Sequence, residues 1–161
     1  MAGVAFDSTY LIDLFNAKIA GDRRAALDHL IGELSKSKIR ILIPSPCFTE
    51  LLIQSGKARD QYIQKLNGSK SFEVIPFDRR AATECALLLA DAWAKKLQSG
   101  ITKTKFKYDW MIVACASSRG IKKIYSDDVD INRCAATIGI QTISQKTLPV
   151  PAESRQLRIP D

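Results

Sequence analysis

Five apolar runs of four to six residues punctuate the chain: GVAF, KIRILI, FEVI, KKIYS and IQTIS. Longer stretches with helical spacing of apolar residues separate them. The regular exchange of a two-residue period for a 3.6-residue period leaves few folds open. Each helix returns the chain to the edge where the previous strand began, so successive strands pair in parallel. The expected architecture is α/β, a three-layer α/β/α sandwich around a mostly parallel five-stranded sheet. With 161 residues the chain suffices for one core. We expect a domain over 1–146 and a Pro-rich tail over 147–161.

The punctuation supports the segment boundaries. GVAF stops at Asp7, and STYLIDLFNAKIA follows as a helix. Gly21-Asp22 breaks that helix, and Asp22 is expected to cap RRAALDHLIGELSKS. KIRILI ends at Pro44, after which Ser45 is expected as N-cap and Pro46 at the first helical position. KARDQYIQKL is a further helix, and Asp78 caps RRAATECALLLADAWAKKLQ. SGITKTKFK reads as a polar, basic connection, YDWMIVACASSRG as a helix closed by Gly120, and INRCAATIG as the last helix.

A parallel α/β sheet binds ligands beyond the carboxyl ends of its strands. The acids fall there. Asp7 ends strand 1, and Glu50 lies in the first turns after strand 2. Asp127, Asp128 and Asp130 follow strand 4. Asp109 opens the helix that runs antiparallel into strand 4, and so starts at the same edge. Each acid also has a purely local use. Asp7 can cap a helix, Glu50 can sit on a helix surface, Asp109 can favour a helix dipole, and the three clustered acids can form turns. Local uses do not explain why four segments bring acids to one edge of a chain with net charge +7. Carboxylates gathered in one pocket raise one another's pKa, and a divalent cation relieves that cost. Oxygen ligands without nearby His or Cys favour Mg²⁺ or Mn²⁺.

The remaining chemistry is consistent with a polyanionic partner. Lys103, Lys105 and Lys107 precede Asp109 and could hold phosphates, with Phe106 or Tyr108 stacking on a base. The single His29 lies far from every acidic motif, which excludes a ribonuclease built on paired histidines. Cys47, Cys85, Cys115 and Cys134 are scattered, which fits small core residues in a reducing cytoplasm rather than a zinc site. No apolar run is long enough to span a bilayer, and no signal peptide is expected. No Gly-rich phosphate loop follows a strand, and Thr9 stands where a phosphatase would need its second Asp.

Four stretches, in order, resemble the PIN domain, and within it the small VapC-type ribonuclease toxins. FDSTYLIDLF is similar to the family's opening strand, Asp and helix; IPSPCFTELL to its Glu-bearing second motif; YDWMIVACA to its third; YSDDVDI to its fourth. Ile131 replaces the usual aromatic of the fourth motif. The resemblance implies a Mg²⁺- or Mn²⁺-dependent endoribonuclease with the catalytic quartet Asp7, Glu50, Asp109 and Asp128. Asp7 and Asp109 would hold the principal ion, and Asp128 with Asp130 would complete the site or hold a second. Glu50 would orient or deprotonate the attacking water. Ser8, Ser126, Lys103, Lys105 and Lys107 would contact RNA, and Asp127 would be the turn residue beside the ligand. The resemblance further implies a cytoplasmic homodimer restrained by a cognate antitoxin. The alternative is a non-catalytic RNA- or protein-binding module on the same fold.

Overall fold

The structure, a computed structural model, describes residues 3–152. In chain order the elements are β1 (Gly3–Phe6), α1 (Ser8–Phe15), α2 (Gly21–Lys36), β2 (Arg40–Pro44), α3 (Ser45–Ser55), α4 (Arg59–Gly68) and β3 (Phe72–Ile75). They continue with α5 (Arg79–Ala94), α6 (Lys103–Ser118), β4 (Lys123–Tyr125), α7 (Val129–Thr137) and β5 (Gln141–Ile143). The sheet order is β3-β2-β1-β4-β5. All four strand pairings are parallel. The three-layer α/β/α architecture expected from the alternation is the one observed.

Strand order dictates where the helices go. From β1 to β3 the chain steps outward in one direction; from β3 it crosses back over the sheet to β4 and then β5. Right-handed crossovers therefore place α1–α4 on one face and α5–α7 on the other. The packing agrees: α1 meets α2 and α3, while α6 lies between α5 and α7 and touches β2. The direction reverses between β1 and β4, so the crevice beyond their carboxyl ends is the switch point of the sheet.

Aromatic packing fixes that crevice from below. Phe6, Tyr10 and Tyr125 meet pairwise with ring centroids 5.0–5.4 Å apart. They tie the end of β1 to α1 and to the end of β4. The Tyr10 hydroxyl donates to the Ile143 carbonyl (2.8 Å), adding β5 to the same knot. From the other face α6 buries Phe106, Trp110, Ile112, Val113, Ala114, Cys115 and Ala116. Gly120, at φ +71°, stops α6 before β4, and the Ile121 amide donates back to the Ala116 carbonyl (3.2 Å).

Several boundaries differ from the sequence reading. Helix α1 ends at Phe15 rather than Ala20. Helix α2 begins at Gly21 with Ala20 at its cap position, so Asp22 sits in the first turn. There it still favours the helix dipole. Pro44 occupies the cap position of α3, putting Ser45 and Pro46 inside the first turn. The Ser45 hydroxyl instead accepts the Phe77 amide (3.1 Å), joining the loop after β3 to α3. Asp78 caps α5 as expected, accepting from the Ala81 amide (2.9 Å). Helix α6 starts at Lys103, capped by Thr102, and absorbs half of the expected basic loop. Leu148, at the start of the expected tail, packs against the core. Residues 153–161 of that tail lie outside the described residues.

Candidate active site

Asp7 is fixed where β1 ends. Its backbone is extended at φ −85° and ψ 178°, and its carboxylate caps α1. One carboxylate oxygen accepts the Thr9 amide (3.0 Å) and the Thr9 hydroxyl. The other accepts the Ser126 hydroxyl. Only 1% of Asp7 is exposed. Burial raises its pKa to about 6, although the hydrogen bonds from Ser126, Thr9 and Tyr10 oppose the rise.

Asp128 caps α7 in the same manner. Its Oδ1 accepts the amides of Asp130 (2.8 Å) and Ile131 (3.3 Å). Its own amide donates to the Ser126 hydroxyl oxygen (3.0 Å). The buried Ser126 hydroxyl therefore links the Asp7 carboxylate to the start of α7. Burial disfavours the Asp128 charge, but hydrogen bonds from Lys105 and the backbone outweigh it and hold the pKa below the ordinary value.

Asp109 comes from the second turn of α6, on the same face of the sheet as α7, and is fully buried. Burial raises its pKa to about 6 against the pull of Lys105, with the charges of Asp128 and Asp130 adding to the rise. One oxygen from each of Asp109, Asp128 and Asp130 lies within 4.8 Å of the others. Lys105 reaches into this group. Its ammonium donates to both Asp109 oxygens (2.7 and 2.9 Å) and to Asp128 Oδ2 (2.9 Å). Asp130 Oδ2 lies 3.8 Å away.

Glu50 stands to one side, half-buried on α3, and accepts the Ser8 hydroxyl. The Tyr108 side chain is the other neighbour. Its hydroxyl donates to the Pro46 carbonyl (2.9 Å), and burial together with the Glu50 charge raises its pKa.

The structure thus gathers Asp7, Asp109, Asp128, Asp130, Ser8, Glu50, Ser126 and Lys105 at the switch point. Asp7 is not one of the three acids whose oxygens converge; its oxygens are engaged by the α1 cap and Ser126. Asp127 points elsewhere, accepting from the Ser144 hydroxyl (2.8 Å), the Gln145 amide (2.8 Å) and Gln145 Nε2 (2.6 Å). Ser8 and Ser126, expected at RNA, are buried and spend their hydroxyls on Glu50 and Asp7. Lys103 and Lys107 lie across α6 from Lys105, with their ammonium groups 5.5 and 5.8 Å from the Trp93 ring centre. Phe106 is 1% exposed and presents no face on which a base could stack.

The family model of the PIN domain matches residues 4–136. The chain belongs to the PIN domain family. A comparison with curated proteins finds no match. Among solved structures, VapBC2 from Rickettsia felis, bound to a DNA fragment of its promoter, is similar with a TM-score of 0.65 and 16% identity. That match covers 88% of this chain and 98% of the other. DNA-bound VapBC from Salmonella typhimurium gives 0.61 and 18%, covering 90% and 99%. Mycobacterium tuberculosis VapC20, described as a toxin cleaving the sarcin-ricin loop, gives 0.55 and 16%, covering 91% and 99%. At such identities these likenesses establish the shared fold.

Within this PIN domain, sequence reasoning missed two residues that shape the site. Thr9 is the first: its hydroxyl donates to Asp7 and accepts the Asp127 amide (3.0 Å), pinning β1 to the segment after β4. Its signal was the D-S-T run, where the second hydroxyl after a cap can fold back on the acid. The second is Tyr108, as a neighbour of Glu50 rather than a base-stacking ring. The donor set of the triad is oxygen only. The Lys105 ammonium already marks the group as a place that holds positive charge, so the residues present fit a hard divalent cation. Among the described residues no helix is long and apolar enough to cross a membrane.

Proposed function

We propose that this PIN domain is a Mg²⁺- or Mn²⁺-dependent endoribonuclease and the toxin of a toxin–antitoxin pair. The observation that carries the reading is the convergence of Asp109 from α6 with Asp128 and Asp130 at the start of α7, at the switch point of the sheet. Family membership and the likeness to VapC structures support it.

In this reading Asp109, Asp128 and Asp130 would hold the ion, and Asp7 positions the start of α7, and with it Asp128, through the Ser126 hydroxyl. A bound divalent ion would lower the pKa of a water and stabilise charge on the scissile phosphate. Glu50 orients the attacking water and accepts its proton, with Ser8 fixing the carboxylate. No nucleophilic side chain is needed. Lys103 and Lys107 are exposed on the far side of α6, over Trp93, where they add positive charge that attracts a polyanion toward this end of the helix.

The restraining partner is an antitoxin peptide. Two of the similar structures are DNA-bound VapBC, which supports this choice. The apolar residues of the helices near 9–34 and 46–66, candidate contact surfaces, mostly pack in the core. Ile53 on α3 is an exception, with 71% exposed. A homodimer in the cytoplasm completes the proposal.

A second reading, a non-catalytic binding module, draws on Lys105, which already neutralises part of the acidic group. The two separate in one assay. Mn²⁺-dependent cleavage of total RNA, abolished by chelation, supports the nuclease; RNA binding without cleavage at saturating Mn²⁺ supports the module.

A further inference from the structure

The first five residues of α6, KTKFK, contain three lysines and no acid, an arrangement that opposes the helix dipole. Lys105 alone among them turns toward the sheet edge, and its side chain is 39% exposed. Its ammonium contacts oxygens of Asp109 and Asp128 at 2.7–2.9 Å, with Asp130 next. These three acids are the ones whose oxygens converge. A divalent ion bound through the same oxygens would lie about 2 Å from each. An ammonium held below 3 Å from those oxygens would then collide with the ion and repel it. Both cations cannot occupy the group together.

We infer that Lys105 is the resident counter-cation of the acidic group, and that metal uptake is an exchange in which Lys105 leaves. The inference rests on the nuclease reading for the identity of the incoming cation. The ammonium compensates the negative charge of Asp109 and Asp128 while no metal is bound, which stabilises the empty site. It also weakens apparent metal affinity, because every binding event must first break the Lys105 contacts. Once displaced, the same side chain has a long stem at the mouth of the site and a free charge for the phosphate. Lys105 is thus a positioning residue that acts through the acids before it meets any substrate.

Mn²⁺ affinity measured calorimetrically for wild type, Lys105→Met and Lys36→Met tests the exchange. Lys36 lies on α2 and pairs with Glu33, so its loss removes one positive charge away from the site. Lys105→Met is expected to bind Mn²⁺ roughly tenfold more tightly, with a lowered melting temperature without Mn²⁺ that added Mn²⁺ restores. Lys36→Met is expected to bind like wild type. Should Lys105→Met fail to fold, Mg²⁺ titration of wild type with ¹⁵N-labelled lysine side chains reads the same event. One ammonium signal is expected to move from a protected to a freely exchanging position. Equal or weaker Mn²⁺ affinity in Lys105→Met, or an unmoved ammonium signal at saturating Mg²⁺, overturns the exchange. If wild type meanwhile cleaves RNA with Mn²⁺, the nuclease reading survives that failure. If neither protein binds Mn²⁺, both fall.

Discussion

Asp127 and Asp128 share a peptide bond yet serve different structures. Asp127 faces the turn after β5 and accepts three hydrogen bonds from Ser144 and Gln145. Asp128 faces Lys105 and Asp109 while capping α7. Asp127→Ala is therefore expected to cost about 1–3 kcal/mol of stability, the worth of a lost, partly buried hydrogen-bond set. Its Mn²⁺ affinity should match wild type. Asp128→Asn keeps the cap oxygen, so its stability should change by less than about 1 kcal/mol, while Mn²⁺ binding weakens. Denaturant melts paired with Mn²⁺ calorimetry check both; a reversed pattern assigns the ligand to Asp127.

Ionised Asp7 is an expense to the metal-free fold. Its pKa of about 6 stands above the ordinary 3.8, chiefly through burial. The folded state then binds the proton more tightly than the unfolded state. This contribution to stability is complete below about pH 4 and is lost as pH rises through about 6. Asp109 carries the same sign, its pKa also near 6. The melting temperature of the metal-free protein should fall between about pH 4 and pH 6, and Asp7→Asn should flatten that fall. At pH 7.5 the variant should be more stable by about 1–2 kcal/mol, with the altered Ser126 contact offsetting part of a larger gain. Saturating Mn²⁺ should reverse the slope for wild type, because the ion binds the ionised acids. An Asp7→Asn curve parallel to wild type would contradict this.

Glu50 stands outside the converging triad, held by Ser8. Glu50→Gln is expected to slow RNA cleavage roughly 100-fold or more, as for loss of a general base, with Mn²⁺ affinity unchanged. Ser8→Ala should slow it less, since it frees Glu50 without removing it. Single-turnover cleavage beside Mn²⁺ calorimetry makes the comparison. A Glu50→Gln variant that loses metal rather than rate would move Glu50 into the ligand set.

The parallel five-stranded sheet and the edge where the acids meet could be read from the chain because alternating strands and helices leave little choice; the strand order could not. The caps Asp7, Asp78 and Asp128 sit where a polar residue follows an apolar run and meets exposed helix amides. The start of α6 could not be read that way. KTKFK has no apolar stripe, and lysines at a helix N-terminus argue against a helix. Tertiary burial of Phe106 and Trp110, one turn apart and packed edge to face, overrides that preference. Moving the helix start back to Lys103 converts Lys105 from a loop cation into the residue one turn before Asp109. The buried hydroxyls of Ser8 and Ser126 were misplaced for a related reason. A small polar residue beside an acid reads as a substrate contact until the structure shows its hydroxyl engaged by a carboxylate, Glu50 for Ser8 and Asp7 for Ser126.

The central claim is that the acids at the switch point hold a metal for RNA hydrolysis. Cleavage of total RNA by wild type and Asp109→Asn, with Mn²⁺ and with chelator, addresses it most directly. The account predicts cleavage by wild type only with Mn²⁺, and a rate at least 100-fold lower for a folded Asp109→Asn. Cleavage that persists in chelator, or that Asp109→Asn carries out at the wild-type rate, would contradict it.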